Sequence, residues 1–380
     1  MNIILFYEFL SEQGGLEREL INHANFLREE GYNVAIMTCH KSKDIQKLLP
    51  FGDLKIIEVS LIKTPLQTLN LALSLLGLNK VGDINADLFI SYSAPCNFLL
   101  RKKKQKKINY VNHYPHYLYL EGKEKIEWAN SFDRKISVFL SLILGKWLKK
   151  IDKKLLRENK LLFTNSLFTK KRIDSIYGVN TLISYPPIDP RIKTVKSLID
   201  KKFIFSCGRI IPDKKFEWLI QSCSMMKNKL PLYVAGQGDQ RYLNSLKSIA
   251  NKSGVNLIFL GKLKTEEIIK YYSSAELFAF PTPGEDFGLV PAESITCGTP
   301  CVVWDDGSGP TEQIIDGVNG FYARPFELKD FADKMDKIIN TKLKISNKKK
   351  ILDSAKKFSS EEIKKDFVKK IESILYPLNL

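Results

Sequence analysis

The stretch Pro283-Gly284-Glu285-Asp286-Phe287-Gly288-Leu289-Val290-Pro291-Ala292-Glu293 says more about the fold than any other part of the chain. It follows the apolar run Leu277-Phe278-Ala279-Phe280, which is typical of a buried strand. Glycine permits a tight turn, and Pro291 suits the first turn of a helix because its missing N–H has no partner there in any case. The stretch therefore predicts a strand, a glycine turn and a helix.

Two carboxylates, Glu285 and Glu293, flank the start of this predicted helix. The first turn of a helix has free backbone N–H groups and the positive end of the helix dipole, so it binds anions. Ionised carboxylates accept hydrogen bonds from hydroxyl groups. The combination favours a ligand that carries both phosphate and hydroxyls, such as a nucleotide sugar. The alternative interpretation is a pair of solvated helix carboxylates.

The setting of these carboxylates, Gly-Glu-Asp-Phe-Gly-Leu-Val-Pro-Ala-Glu, resembles the donor-site signature of the family-4 retaining glycosyltransferases. The resemblance is close in the second half of the chain and looser in the first half. It implies an α/β protein of the GT-B fold, in which two doubly wound Rossmann-like domains face each other across a cleft. It also implies a hexosyltransferase that uses a nucleotide-sugar donor and retains the configuration of the sugar.

The resemblance implies roles for particular residues. Glu285 would hold the hydroxyls of the donor sugar near its developing positive charge, and Glu293 would bind the ribose. The helix start at 287–289, which is Phe287, Gly288 and Leu289, would contact the diphosphate.

Strand and helix signals alternate along the rest of the chain, which predicts parallel sheets covered by helices. The proline-rich segment 185–190 is the best boundary between two domains. We expect an acceptor-binding domain at 1–186, a nucleotide-sugar-binding domain at 187–358, and a C-terminal helix at 359–380 that returns to the first domain. Ligands bind at the carboxyl ends of parallel strands, so we expect the site between the domains, with a hinge at 185–190. The predicted strands lie at 2–7, 32–38, 87–91, 107–111, 161–165, 203–207, 231–236, 256–260, 277–280 and 300–304, with the last of these ending the second sheet.

Three further motifs follow predicted strands of these domains. Arg209 and Lys214 flank a proline turn, where two cations suit a diphosphate, although an ordinary surface turn has the same appearance. Gly236 belongs to a Gly-x-Gly turn that permits close approach of a nucleotide. Gly15 lies in a Gly-Gly loop at the start of the first predicted helix, where the resemblance places it near the donor phosphates or the acceptor and a plain turn is the alternative.

His113 comes directly after a predicted strand of the first domain, in the segment Asn112-His113-Tyr114-Pro115-His116. A histidine at a strand end can donate a hydrogen bond to a sugar hydroxyl or stabilise charge, so we predict a catalytic role. A histidine packed under an aromatic loop is the alternative. The segment is similar to one in the mannosyltransferases of lipid-linked oligosaccharides, which favours GDP-mannose as donor and a glycan or polyprenyl-linked acceptor.

The chain is basic, with 59 Lys and Arg against 42 Asp and Glu and a net charge of +17. Lysine runs at 101–107 and 146–160 suit anionic lipid, nucleic acid or a phosphorylated substrate, and solvated faces are the alternative. Apolar residues at 136–148 (Ile136, Phe139, Leu140, Ile143, Leu144, Trp147 and Leu148) precede or overlap the second run, which predicts a helix lying on an anionic membrane, with an ordinary core-facing helix as the alternative. The six cysteines form no CxxC pair, and no secretory signal is evident. We therefore expect a cytoplasmic protein, peripheral on the cytoplasmic face of the membrane.

Two cations at the phosphate make a metal ion unnecessary, so we expect no metal and no cofactor beside the nucleotide sugar. A different class of protein also fits the charge: a basic membrane-binding or nucleic-acid-binding protein on a catalytically inactive GT-B scaffold. We expect no nucleic-acid partner, because the sequence shows no module of stacking aromatic residues.

Overall fold

The computed structural model describes residues 1–10, 14–43, 45, 52–59, 81–129, 131–196, 199 and 201–376. The chain separates into two compact units, the first formed by Met1–Tyr185 with Lys364–Leu380 and the second by Pro186–Ile363. In the described part of the chain, no helix combines the length and the apolar character needed to cross a bilayer.

The first unit contains a parallel sheet of seven strands in the order β5-β3-β1-β6-β7-β8-β9, and β2 and β4 form a separate two-stranded pair. Most strands are built from apolar, often β-branched residues that are buried on both faces, as expected where helices cover a parallel sheet. The strands are β1 (Asn2–Phe6), β2 (Phe9–Leu10), β3 (Asn33–Thr38), β4 (His40–Lys41), β5 (Lys55–Glu58), β6 (Leu88–Ser91), β7 (Lys106–Val111), β8 (Leu161–Thr164) and β9 (Leu182–Ile183).

The helices of the first unit connect these strands, and several begin at a serine whose hydroxyl accepts a hydrogen bond from the first turn. They are α1 (Gly15–Glu29), α2 (Ala94–Leu99), α3 (His116–Tyr119), α4 (Gly122–Trp128), α5 (Phe132–Arg157) and α6 (Leu167–Tyr177), with a 3₁₀ turn at Leu100–Lys102.

The C-terminal helix α14 (Ser360–Leu375) packs on the first unit through its apolar face. The ring of Phe367 stacks on buried His23 of α1, with ring centroids 4.0 Å apart. Lys106 Nζ, on β7, donates to the carbonyl oxygens of Ile374 and Leu375 at 2.8 and 3.1 Å, which caps the end of the helix. The last part of the chain therefore completes the first unit.

The second unit contains one parallel sheet of six strands in the order β12-β11-β10-β13-β14-β15. The strands are β10 (Ile204–Cys207), β11 (Leu232–Ala235), β12 (Leu257–Gly261), β13 (Leu277–Ala279), β14 (Cys301–Trp304) and β15 (Gly320–Ala323). The helices are α7 (Phe216–Met225), α8 (Gln240–Lys252), α9 (Thr265–Ser274), α10 (Leu289–Thr296), α11 (Leu328–Asn340), α12 (Leu343–Ser346) and α13 (Lys348–Ala355), with 3₁₀ turns at Pro212–Lys214, Gly309–Gln313 and Lys356–Phe358.

The sequence predicted ten of these strands, but its view that 300–304 ends the second sheet is wrong. Strand β15 pairs with β14 over four residues, and its sequence GFYA begins with a glycine that weakens the strand signal. The edge strands β5 and β9 also gave no usable signal, because β5 reads KIIE and β9 has only two residues.

Each sheet has a point at which the order of strands reverses. In the first sheet this point lies at β1, which pairs with both β3 and β6. In the second sheet it lies at β10, which pairs with both β11 and β13. The loops that follow neighbouring strands diverge at such a point, so it is the usual place for a ligand in an open α/β sheet.

Asp336 of α11 provides a test of the packing of the second unit. Its carboxylate accepts hydrogen bonds from the N–H groups of Lys227 and Asn228 at 2.7 and 2.9 Å, and from Asn228 Nδ2 at 2.7 Å. Burial raises the pKa of Asp336, but these hydrogen bonds outweigh burial, so the net pKa is lowered. The charged form therefore stabilises the folded state above the ordinary pKa of about 3.9, and this contribution is lost as pH falls through the lower folded value.

Asp336→Asn should lower the free energy of unfolding by about 2 kcal/mol at neutral pH, since it replaces the charged acceptor of three part-buried hydrogen bonds by an amide with a single acceptor oxygen. The difference from the wild type should shrink below about pH 4, where the wild-type carboxylate becomes protonated. Urea unfolding at several pH values measures both effects, with exposed Asp333→Asn as the control. A cost that does not change with pH would contradict this assignment.

Candidate functional site

The loops after the neighbouring strands β10 and β13 of the second unit bring two charged side chains together. The loop after β10 carries Lys214 at the end of a 3₁₀ turn, and the loop after β13 carries Glu285. Lys214 Nζ donates to Glu285 Oε2, and the two side chains are 21% and 26% exposed. The structure thus brings together two residues that the sequence had assigned to different groups of the donor, the diphosphate and the sugar.

Hydrogen bonds from the segment after β14 hold the loop of Glu285 in place. The N–H of Gly309 donates to the carbonyl oxygen of Glu285 at 2.9 Å. Asp306 accepts from the N–H of Gly284 at 2.8 Å and from the N–H of Ser308 at 3.0 Å. Asp306 is a positioning residue that sequence analysis missed, although an aspartate before Gly-Ser is a common turn signal.

Helix α10 begins beside this loop. Gly288 precedes the helix with a φ of 76°, a left-handed conformation that favours glycine. The amide Nε2 of buried Gln313 donates to the carbonyl oxygens of Phe287 and Gly288 at 2.6 and 2.9 Å. These bonds orient the peptides that lead into the helix, and its first residues, Leu289 and Val290, have N–H groups that α-helical geometry leaves without an intrahelical acceptor.

The side chain of Phe287 is 3% exposed and packs edge-on against Phe358, with ring centroids 5.5 Å apart. A ligand at the helix start would therefore meet the backbone of Phe287 rather than its ring. In the Phe-Gly-Leu part of the motif, the phenylalanine is therefore explained by side-chain packing, and Gly288 is explained by the left-handed backbone that it adopts.

Glu293 lies in the second turn of α10 and is 5% exposed. The hydroxyl of Tyr272 donates to Glu293 Oε2 at 2.9 Å, and Cys207 Sγ lies 2.9 Å from the same hydroxyl. Burial, followed by the electrostatic influence of Cys207 and Glu293, raises the pKa of Tyr272 well above its usual value, so the phenol keeps its proton. Tyr272 thus orients the carboxylate that the sequence assigned to the ribose, and nothing near it in the sequence indicated this role.

The loops after β10 and β11 approach each other closely. The N–H of Gly208 donates to Ala235 O at 3.0 Å, and the N–H of Ile210 donates to Gln237 O at 2.8 Å. Gly236 lies between these bonds with a φ of 146°, and a Cβ there would overlap the carbonyl oxygen of Gly208. Gly236, predicted as a donor contact, is thus required by the packing of two backbones, while Arg209 is exposed on the first loop.

Gly236→Ala should lower the free energy of unfolding by more than the roughly 1–2 kcal/mol that a left-handed non-glycine residue costs, because backbone overlap adds to that cost. The matched control is Gly254→Ala, since Gly254 has a φ of 66° and no atom within 4 Å of the added Cβ. Chemical unfolding of both variants measures the difference. Equal destabilisation would show that the two loops can separate without cost.

A second polar group lies in the first unit, after β1, β6 and β7. Glu8 Oε2 accepts hydrogen bonds from Ser93 Oγ and, at 3.5 Å, from Cys96 Sγ. Burial raises the pKa of Glu8, and these hydrogen bonds partly oppose the increase. Sequence analysis found His113, which is exposed, but missed Glu8 because no motif surrounds it.

Positive and aromatic groups surround the exposed His113. Its ring lies 5.3 Å from that of His116, and the ring of His116 lies 5.9 Å from Trp128. Burial, and then the charges of His113, Arg172 and Arg134, lower the pKa of His116 to about 3, so His116 is neutral. The region around His113 is therefore electropositive.

Gly15, the remaining predicted contact, is the exposed first residue of α1, and Gly14 precedes it without a side-chain cap.

The lysine run at 101–107 has partners inside the protein. Lys103 Nζ donates to Gly82 O and Ile84 O, and Lys107 pairs with Glu158 at 3.8 Å. This run is explained in part by packing of the first unit.

The second unit is similar to known proteins. Residues 190–358 match the family described as "Glycosyl transferases group 1". An uncharacterized glycosyltransferase of Methanocaldococcus jannaschii is 31% identical over 177 residues, which cover 44% of each chain. The serotype-specific mannosyltransferase WbdA of Escherichia coli is 27% identical over 186 residues, which cover 45% of this chain and 22% of that protein. The chain thus spans less than half the length of these relatives.

The crystal structure of Anabaena HepE in complex with UDP and glucose has the same fold, with a TM-score of 0.73 and 17% identity over 98% of this chain and 100% of that one. The predicted fold class, an α/β protein of the GT-B type with two Rossmann-like units, is therefore confirmed. The resemblance to the group 1 glycosyltransferases is confirmed as well. The roles of individual site residues stay predictions.

Proposed function

The second unit of this protein matches the group 1 glycosyltransferases. From this premise, we propose that the protein is a hexosyltransferase, which moves a sugar from a nucleotide sugar to an acceptor hydroxyl. The observation that carries the proposal is the ion pair of Lys214 and Glu285 beside the start of α10, at the reversal point of the second sheet. A cation and a helix start suit the diphosphate of a nucleotide sugar, and a carboxylate suits its hydroxyls.

Departure of the nucleoside diphosphate leaves negative charge on the phosphate and oxocarbenium-like charge on the sugar, so the site must stabilise both. Lys214, Arg209 and the N–H groups at the start of α10 take the phosphate charge. Glu285, next to Lys214, accepts from the sugar hydroxyls and lies near the developing cation. This division requires Lys214 to exchange part of its contact with Glu285 for the phosphate when the donor binds.

Glu293 binds the ribose hydroxyls, with Tyr272 fixing the orientation of its carboxylate. His113 contacts the transferred sugar, and Glu8 with Ser93 offers acceptors and a donor for a hydroxyl of the second substrate. With two protein cations on the diphosphate, the reaction needs no metal ion. We propose retention of the sugar configuration, as the resemblance of the segment from Glu285 to Glu293 to the family-4 donor-site signature implies.

For the donor we propose GDP-mannose. The support is the segment around His113 and the similarity of residues in the second unit to a mannosyltransferase. The acceptor that we propose is a glycan carried on a polyprenyl phosphate, because the electropositive region around His113 suits a phosphate and helix α5 suits a lipid surface.

Removal of the two carboxylates should have different effects. Glu285→Ala should reduce kcat by about 10²–10³-fold with little change in donor Kd, because its carboxylate acts mainly on the transition state. Glu293→Ala should instead raise the Kd for the free nucleoside diphosphate. Single-turnover transfer and calorimetric binding separate these effects.

Two controls accompany these variants. Tyr272→Phe removes the hydrogen bond to Glu293 but keeps the carboxylate, and exposed Glu266→Ala should have no effect on either quantity. Unchanged turnover in Glu285→Ala would contradict the role assigned to Glu285. Unchanged nucleotide affinity in Glu293→Ala would contradict the role assigned to Glu293.

In its first half, helix α5 has small residues inward and most of its apolar residues outward. Ser137, Ser141 and Asp152 are buried, while Phe139, Leu142 and Trp147 are 61%, 75% and 51% exposed. Of the apolar face predicted from the sequence, Leu148 is buried and most other members are exposed: Ile136, Phe139, Ile143, Leu144 and Trp147. Phe132 extends the exposed row, and Lys146 and Lys150 are exposed beside it.

An apolar row flanked by lysines has the character of a helix that lies in the interface of an anionic membrane. We propose that α5 holds the protein on such a surface, which places the enzyme peripherally on the cytoplasmic face, where nucleotide sugars are made. A single exposed apolar residue would need no explanation, but a continuous row of this size does.

The triple variant Phe139→Ser, Leu142→Ser, Trp147→Ser should reduce partition to vesicles of anionic phospholipid by at least about tenfold, since each exposed apolar side chain contributes roughly 1–2 kcal/mol on burial. A matched control, Ile345→Ser, removes a side chain that is 76% exposed on the second unit. Cosedimentation measures binding, and gel filtration reports whether the row instead joins two copies of the chain. Equal binding by the wild type and the triple variant would contradict membrane docking by α5.

A further inference from the structure

A buried polar network inside the first unit has no part in the proposed chemistry. It joins Glu19 of α1 to Tyr110 of β7, to Asn112 just after β7, and to Ser184 just after β9. These residues are 3%, 0%, 8% and 1% exposed, respectively. Buried polar groups of this kind require a complete set of hydrogen bonds, because each missing bond costs free energy.

The hydroxyl of Tyr110 has one proton and two oxygen partners. It contacts Glu19 Oε1 at 2.5 Å, and it also contacts the backbone carbonyl oxygen of Ser184. A carbonyl oxygen only accepts hydrogen bonds, and an ionised carboxylate only accepts as well. If Glu19 were ionised, two acceptors would therefore compete for a single phenolic proton.

We infer that Glu19 is a neutral carboxylic acid in the folded protein and that its proton holds this network together. Glu19 donates to the Tyr110 oxygen, Tyr110 donates to the carbonyl of Ser184, and Asn112 Nδ2 donates to Glu19 Oε2 at 3.1 Å. With this assignment, each close contact of Tyr110 and Glu19 has one donor and one acceptor.

The charges around Glu19 agree with this assignment. Burial raises the pKa of Glu19 to about 7, and the hydrogen bonds from Tyr110 and Asn112 oppose the increase only in part. His23, on the same helix, is neutral because burial lowers its pKa to about 3, and its Nδ1 lies 2.8 Å from the hydroxyl of Tyr92. The ammonium group of Lys370, on α14, has other partners: its Nζ donates to Ile183 O at 2.8 Å and to Asp366 at 2.6 Å.

The network is placed to control the loop of His113. Asn112 immediately precedes His113, α1 begins at the predicted contact Gly15, and Ser184 precedes the segment 185–190. Glu19 touches none of the reacting groups that we propose, so it is a positioning residue. This functional part of the inference rests on the proposed transferase activity, whereas the protonation state of Glu19 does not.

A neutral Glu19 makes the stability of the folded protein decrease as the pH rises. A carboxyl group whose folded pKa is raised gives the folded state a contribution that is fully present below its ordinary pKa, and the contribution is lost as pH rises through the folded value. For Glu19 this window runs from its usual value of 4.5 to about 7. Above that window Glu19 ionises, and Tyr110 must release either Glu19 or the carbonyl of Ser184.

Glu19→Gln tests the inference, because its amide reproduces the neutral acid: Nε2 can donate to the Tyr110 oxygen, and Oε1 can accept from Asn112. Between about pH 5 and about pH 9, the Tm of the wild type should fall relative to that of Glu19→Gln. Glu17→Gln, a buried neighbour on α1, should parallel the wild type. At about pH 6, where ordinary carboxyl groups are ionised, the infrared difference spectrum of the wild type minus Glu19→Gln should show a protonated carboxyl band.

Parallel Tm profiles of the wild type and Glu19→Gln, or the absence of that carboxyl band, would overturn the inference. With activity as the readout, kcat/KM for the acceptor should fall severalfold more in the wild type than in Glu19→Gln as pH rises through 7. Nucleotide binding by the second unit should be the same in both proteins. If neither binds a nucleotide, the transferase proposal fails, and the Tm and infrared results still decide the protonation of Glu19.

Discussion

The contact between Lys214 and Glu285 is the interaction on which the proposed donor site depends. A lysine–glutamate pair that is about one quarter exposed contributes little to stability, typically about 0–1 kcal/mol. Yet several hydrogen bonds hold the loop of Glu285 and the helix start beside it: Asp306 and Gly309 fix the loop of Glu285, and Gln313 fixes the peptides before α10. A structure that holds a weak ion pair so firmly is suited to offer both charges to a ligand.

In the first unit, a sheet with the same order of strands has different side chains at its strand ends. At its reversal point, the strand ends present a carboxyl group, Glu8, together with Ser93 and the exposed His113. No lysine–glutamate pair like that of the second unit is seen there among the residues that the structure describes. The two units therefore share a topology but differ in the charge at their strand ends, as expected if one binds a donor diphosphate and the other an acceptor.

Much of this arrangement follows from local sequence. The central strands are apolar runs between turn residues, and the segment from Gly284 to Glu293 has two glycines and a proline at positions that suit its backbone. The missed elements have weak local signals: β15 begins with a glycine and β9 has two residues. The supporting side chains were missed for another reason, since their partners are remote, with Tyr272 lying 21 residues from Glu293 and Tyr110 lying 91 residues from Glu19. Sequence periodicity carries no information about such pairs.

The most direct test of the central claim, that the loops of Lys214 and Glu285 bind a nucleoside diphosphate, is a metal-free thermal-shift titration with GDP, UDP and ADP. One nucleotide should raise the Tm of the wild type. The shift should be lost in Lys214→Ala and kept in Lys247→Ala, which removes an exposed lysine of α8. An equal shift in Lys214→Ala and the wild type, or no shift with any of the three nucleotides, would contradict the account.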